Sequence, residues 1–192
     1  MKEITRVAEL RGIDSESRTA TFTISTESID RHGTVFKLDG WDLSVYERNP
    51  IVCYNHRSSG ENPDTIIGTS RVFVEEGSLM GEVRFEDEGD NEIADKVWRK
   101  INKGTLKMAS VGARVHDYRY GDTERGEDSG TIYFTRQELL EWSVVSVGSN
   151  PDAFKRSADS IDEIKRELEV VEDDFTTQHR VAKWKVKKTT KK

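Results

Sequence analysis

The sequence predicts a mainly β (α+β) domain, and three observations predict it. Short segments of alternating apolar and polar residues fill the first four-fifths of the chain, the pattern of half-buried strands. Before Pro151 only the stretch from Asp90 to Gly104 carries helical spacing. The turn residues Glu75-Glu76-Gly77-Ser78 stand between two of the strand-like segments, as in a hairpin.

Taken in order, Phe22 and Ile24 alternate with Thr21, Thr23 and Ser25 in a strand expected to have one wet face. A second pair, Ile66 to Val74 and Leu79 to Phe85, flanks Glu75-Glu76-Gly77-Ser78 and reads as a hairpin. Asp90 is placed to cap the helix, whose apolar face holds Ile93, Ala94, Val97, Trp98 and Ile101, and Gly104 is placed to end it. Tyr118 to Gly130 has almost no apolar side chain and is expected to be a mobile surface loop. After Pro151, Ile161, Ile164, Leu168 and Val171 space out along an amphipathic helix over 159–178, and 179–192 reads as a basic disordered tail. Residues 1–158 are then the folded domain.

The composition narrows the function classes. Thirty basic against 36 acidic side chains give a charge of −6 over 192 residues, which argues against a general nucleic-acid surface. A lone cysteine, Cys53, permits no intramolecular disulfide and reads as a small buried hydrophobe in a reducing cytosol. No apolar run is long enough to span a bilayer, and charges in Met1 to Gly12 stand where a signal peptide needs its apolar region.

Three segments put a chemically capable side chain inside or at the end of an apolar strand. In Asn49 to His56, "NPIVCYNH", proline opens a strand that delivers His56 to its far end, and imidazole titrates near neutral pH. In Leu106 to Val115, Ala109, Val111, Ala113 and Val115 share a core face, so Ser110 lies opposite with Met108, Gly112 and Arg114. Gly112 is expected to let a substrate backbone approach. In Glu138 to Val147, Glu141 shares a face with Ser143 and Val145, and a buried carboxylate needs a partner such as a protonatable histidine. His116 shares the strand and face of Ser110 but is six residues, roughly 20 Å, away. His179 falls in the tail, which leaves His32 as the reserve base.

The ordered set "NPIVCYNH", "IIGTSRV", "KMASVGARV" and "ELLEWSVVSVGSNPDA", preceded by "DRHGTVFKLDGWDL", resembles the HK97-type phage prohead (capsid maturation) serine proteases over roughly residues 20–155. The resemblance implies a closed β-barrel with surrounding helices, like the herpesvirus assembly proteases. It implies Ser110 as nucleophile, His56 as base and Glu141 as the third member, with no cofactor and no metal. Two departures stand out: Gly148 and Ser149 replace the proline and alanine usual after the last strand, and the herpesvirus relatives have histidine as third member. Arg114 and the Gly148 loop are the candidate oxyanion donors. The implied partners are scaffold and major capsid protein precursors inside an immature procapsid in the host cytoplasm, with self-cleavage and with a homodimer among the assemblies the relation allows. No membrane and no specific nucleic acid is implied. The lysine-rich tail would be a tether, a solubilising end or a segment removed by autolysis. Two rivals remain: a non-catalytic β-barrel component of the capsid or scaffold, and a metal hydrolase built on Asp30, His32 and His56.

Overall fold

In a computed structural model the described residues, 10–148, form nine strands and one α-helix. The strands are β1 (Leu10–Asp14), β2 (Thr19–Thr26), β3 (Thr34–Phe36), β4 (Trp41–Asp42), β5 (Ile51–Tyr54), β6 (Ile66–Glu75), β7 (Ser78–Phe85), β8 (Met108–Tyr120) and β9 (Ile132–Val145). The helix α1 (Glu92–Asn102) stands between β7 and β8. The expected helix over 159–178 and the tail over 179–192 lie outside the described residues. Among those described, no helix is long and apolar enough to cross a membrane.

The sheet runs β1-β2-β7-β6-β5-β9, and β9 organises its end. One edge of β9 pairs in parallel with β3, β4 and β5 in succession, and the other pairs antiparallel with β8 along nearly its whole length. Among the described residues the sheet is not closed into the expected barrel. The start of β1 meets the approach to β8 through a single backbone hydrogen bond, Leu10 N–H to the Lys107 carbonyl at 3.0 Å, and not through a ladder. The described part of β1 offers only five residues, and these pair with β2.

The β6–β7 hairpin forms as its turn residues require, with Glu76 and Gly77 both at positive φ (48° and 70°), the backbone of a tight twisted turn. Helix α1 starts one residue later than expected. Asn91, not Asp90, is the N-cap, and its Oδ1 accepts from the backbone N–H groups of Ile93 and Ala94. The Asn91 amide also donates to the carbonyls of Asp64 and Ile66 at 3.0 Å each, tying the helix start to β6. The buried face of α1 is Ala94, Val97, Trp98 and Ile101. Trp98 packs against Phe85 at 5.2 Å between ring centroids.

Trp142 on β9 is fully buried at the centre of the core, 5.8 Å from the Phe22 ring. A Cβ on Gly81 would lie 2.9 Å from the indole, so only glycine lets β7 pass over it. Of the wet face expected for β2, Thr23 and Ser25 are buried and Thr21 is half-buried. Arg11 of β1 reaches across to donate to the Thr23 hydroxyl at 3.0 Å, which gives that buried hydroxyl a partner.

The segment 118–130 is also unlike its expectation. β8 continues to Tyr120, and the turn beyond is fixed by Asp122, which caps the Glu124 N–H, and by Glu127, which takes both terminal nitrogens of Arg119. Composition suggested mobility because these contacts join charged residues to each other, with no apolar signal to reveal them.

Candidate active site

The three sequence candidates sit on β5, β8 and β9, whose pairing decides whether they can meet. Val52, Cys53 and Tyr54 of β5 pair with Trp142, Ser143 and Val144 of β9, so the chain leaving β5 emerges beside the C-terminal half of β9. There it turns sharply. Asn55 and His56 both take left-handed backbone, φ 56° and 57°, a conformation that asparagine and histidine tolerate better than most side chains. Asn55 holds the corner twice: its N–H donates to the Val144 carbonyl at 3.0 Å and its Oδ1 accepts from the Ser146 N–H at 3.2 Å.

On β9, Leu139, Trp142 and Val144 enter the core while Glu141 and Ser143 occupy the opposite face. Glu141 is only 5% exposed, and its carboxylate binds two groups. Oε1 lies 2.7 Å from His56 Nδ1, and Oε2 accepts from the Ser143 hydroxyl at 2.7 Å. The Ser143 oxygen in turn accepts from the backbone N–H of His56 at 3.0 Å. The hydrogen bond to Glu141 raises the pKa of His56 above its ordinary 6.5, against an opposing effect of burial. With the carboxylate accepting at Nδ1, Nε2 is the nitrogen left to accept a proton.

Ser110 pairs directly with Ser143 across β8–β9 and is itself only 6% exposed. Residues opposite one another in an antiparallel pair share a face at about 4.5–5.5 Å between Cα atoms. Ser110 therefore stands on the face of Glu141 and Ser143, next to the serine that contacts both Glu141 and His56. Glu141 itself pairs with Gly112. A Cβ there would lie 2.3 Å from Glu141 Oε1, so this glycine makes room for the carboxylate.

A family model for the caudovirus prohead serine protease matches residues 19–167. The chain belongs to that family. No curated protein and no solved structure matches it. As a prohead serine protease by family, it is associated with phage capsid proteins in the prohead.

In this family member the two candidate oxyanion donors differ in placement. Arg114 pairs with Glu138 at 3.4 Å, and His116 approaches the same carboxylate oxygen at 3.4 Å, so both are drawn along the ribbon away from Ser110. Gly148 packs beside the serine's strand: a Cβ on it would meet Met108 Cε at 2.7 Å and the Ala109 carbonyl at 3.5 Å. Asp30, proposed for the metal rival, holds a turn instead. It accepts from the N–H of His32 and from both the N–H and hydroxyl of Thr34 at 2.6–2.9 Å. Among the described residues no group of three or more His, Cys, Asp or Glu is placed to hold a metal ion. Cys53 is fully buried, and burial followed by the nearby Glu141 charge pushes its thiol up to about 11.

Sequence reasoning placed Ser143 on the face of Glu141 but gave it no role, and did not see that Gly112 leaves space for the carboxylate. Spacing alone showed that Ser143 shares a face with Glu141, but its bond to His56 and the place of Gly112 opposite Glu141 depend on strand pairings that no local pattern shows.

Proposed function

We propose that the chain is a serine endopeptidase that cleaves scaffold and major capsid protein precursors during prohead maturation, with Ser110 as nucleophile, His56 as general base and acid, and Glu141 as the group that orients the imidazole. The observation that carries this reading is the 2.7 Å contact of His56 Nδ1 with a buried Glu141, on the face where Ser110 is paired with Ser143.

A serine hydroxyl is a poor nucleophile at neutral pH. In the proposed first step His56 Nε2 takes the Ser110 proton as Oγ attacks the scissile carbonyl carbon, and the imidazolium then gives that proton to the leaving amine as the C–N bond breaks. The resulting acyl-enzyme is hydrolysed by water, activated by the same imidazole, which restores Ser110 and releases the new carboxyl end. Glu141 keeps the proton on Nδ1 throughout and stabilises the transient cation. The main chain at Gly148, packed on the strand of Ser110, is the better placed of the two candidates for the oxyanion. Self-cleavage belongs to the same proposal, and intact mass tests it: termini shorter in the wild type than in Ser110→Ala support it, and identical termini remove it.

Co-expression with the capsid and scaffold precursors tests the whole reading. Folded Ser110→Ala and His56→Ala proteins are expected to leave the precursors uncut, a loss of about 10⁴-fold or more in rate. Normal processing by either variant overturns the assignment. A fluorophosphonate that labels wild type but not Ser110→Ala distinguishes the enzyme from a non-catalytic capsid component of the same fold.

A further inference from the structure

The contacts of Ser143 form a closed ring with Glu141 and His56. A backbone N–H can only donate, so the 3.0 Å contact with His56 N makes the Ser143 oxygen an acceptor there. The one hydroxyl proton of Ser143 is then directed at Glu141 Oε2, 2.7 Å away, where an ionised carboxylate can only accept. The other carboxylate oxygen receives the Nδ1 proton of His56. Backbone and ring of the same histidine are thus fixed to one carboxylate, the backbone through the serine and the ring directly.

We infer that Ser143 is a positioning residue of the active site, whose hydroxyl locks the Glu141 carboxylate and the left-handed His56 backbone into the one arrangement that presents the imidazole to Ser110. This inference rests on the reading of His56 as the general base. Two further observations support it. Ser143 is fully buried, so no solvent replaces its hydroxyl when it is removed. His56 side-chain exposure is 42%, so its own packing does little to hold the ring and the hydrogen bonds do most of it. The titratable groups that sense the Glu141 charge from the neighbouring elements are His56, the Cys53 thiol on β5 and the Tyr46 phenol, whose own hydroxyl donates to the Ile51 carbonyl.

The same hydroxyl decides the protonation chemistry of the pair. It supplies one proton to Oε2 and leaves Oε1 free for the imidazole alone, so the carboxylate cannot rotate to share both oxygens with His56 or turn towards another donor. Removing it orphans the His56 N–H and releases the carboxylate, which weakens the Nδ1 contact that raises the imidazole pKa.

The test reads His56 directly, in a Ser110→Ala background that needs no turnover. The imidazole is titrated by NMR in full-length Ser110→Ala and Ser110→Ala/Ser143→Ala proteins, with circular dichroism as the check of folding. The double variant is expected to titrate closer to an ordinary imidazole, at lower pH than Ser110→Ala. In the active protein Ser143→Ala is expected to lower kcat about tenfold with KM nearly unchanged, the size of one lost charge-assisted hydrogen bond. An unmoved His56 titration in the folded double variant overturns the inference. If the alanine variant does not fold, Ser143→Cys fills the site with a weak donor and must show the same downward displacement, or the inference falls. The two readings fail separately: precursor processing by Ser110→Ala would sink the nucleophile assignment and leave the titration result intact.

Discussion

Each end of the β8–β9 ribbon carries a carboxylate joined to a nitrogen base, and the two pairs differ in depth and in partner. Near the far turn, Glu127 binds Arg119 through both guanidinium nitrogens, and Arg119 also lies 4.4 Å over the Tyr133 ring. Hydrogen bonds from Arg119, helped by the Asp122 backbone N–H, hold the Glu127 carboxyl down to about 2. At the other end Glu141 is buried and its partner is an imidazole. The guanidinium never releases its proton at any working pH, so the outer pair is a fixed clasp that closes a turn. The inner pair has an imidazole, a base that can both take and release a proton, which is what proton transfer requires. The same kind of contact thus closes a turn at one end of the ribbon and, in the proposed mechanism, serves proton transfer at the other, and the choice of base separates the two.

That contrast can be broken most severely at Glu141. Glu141→Gln keeps the volume but removes the charge that orients the imidazole, and the rate is expected to fall by about 10⁴-fold. The raised His56 pKa means that the base form is lost on acidification from a higher pH than for free imidazole. The acid limb of kcat/KM in the wild type should therefore lie above 6.5 and move to lower pH in the residual activity of Glu141→Gln. A limb that stays in place would separate His56 from Glu141. Gly112→Ala is a subtler break. Its methyl would lie 2.3 Å from Oε1, so the carboxylate must move by about an ångström, with an expected loss of about 10²-fold and little change in the thermal melt. Full activity in a folded Gly112→Ala protein would show that Glu141 acts from another position. The smallest effect belongs to the outer pair. Glu127→Gln is expected to leave kcat and KM within about twofold and to speed proteolytic nicking between 118 and 130, and a large loss of activity there would erase the division between the two ends.

Much of this molecule is readable from its sequence, for reasons that differ by region. Helix α1 is legible because five apolar residues share its face and a capping side chain precedes it, though the choice between Asp90 and Asn91 depended on contacts with β6. The β6–β7 hairpin is legible because its turn residues are local. Ser110, His56 and Glu141 stand out because a polar side chain within an apolar strand needs a reason. Sheet order was not legible: β5 and β9 pair across about ninety residues, and no local pattern encodes such a pairing. Nor was the role of Ser143, since its bond to His56 spans 87 residues. The closed barrel came from resemblance alone, and among the described residues β1 meets the approach to β8 only through the backbone bond between Leu10 and Lys107.

Along β9 the inward positions change phase. Ile132 and Phe134 are buried, then Gln137 and Leu139, then Trp142 and Val144, with register shifts against β8 between the groups and with Leu140 left over, 43% exposed, at the last of them. Each irregularity works as a frame reset. The face that the distal ladder turns to the core is therefore set apart from the face on which Glu141 stands, so in and out at the inner end do not follow from those at the distal turn.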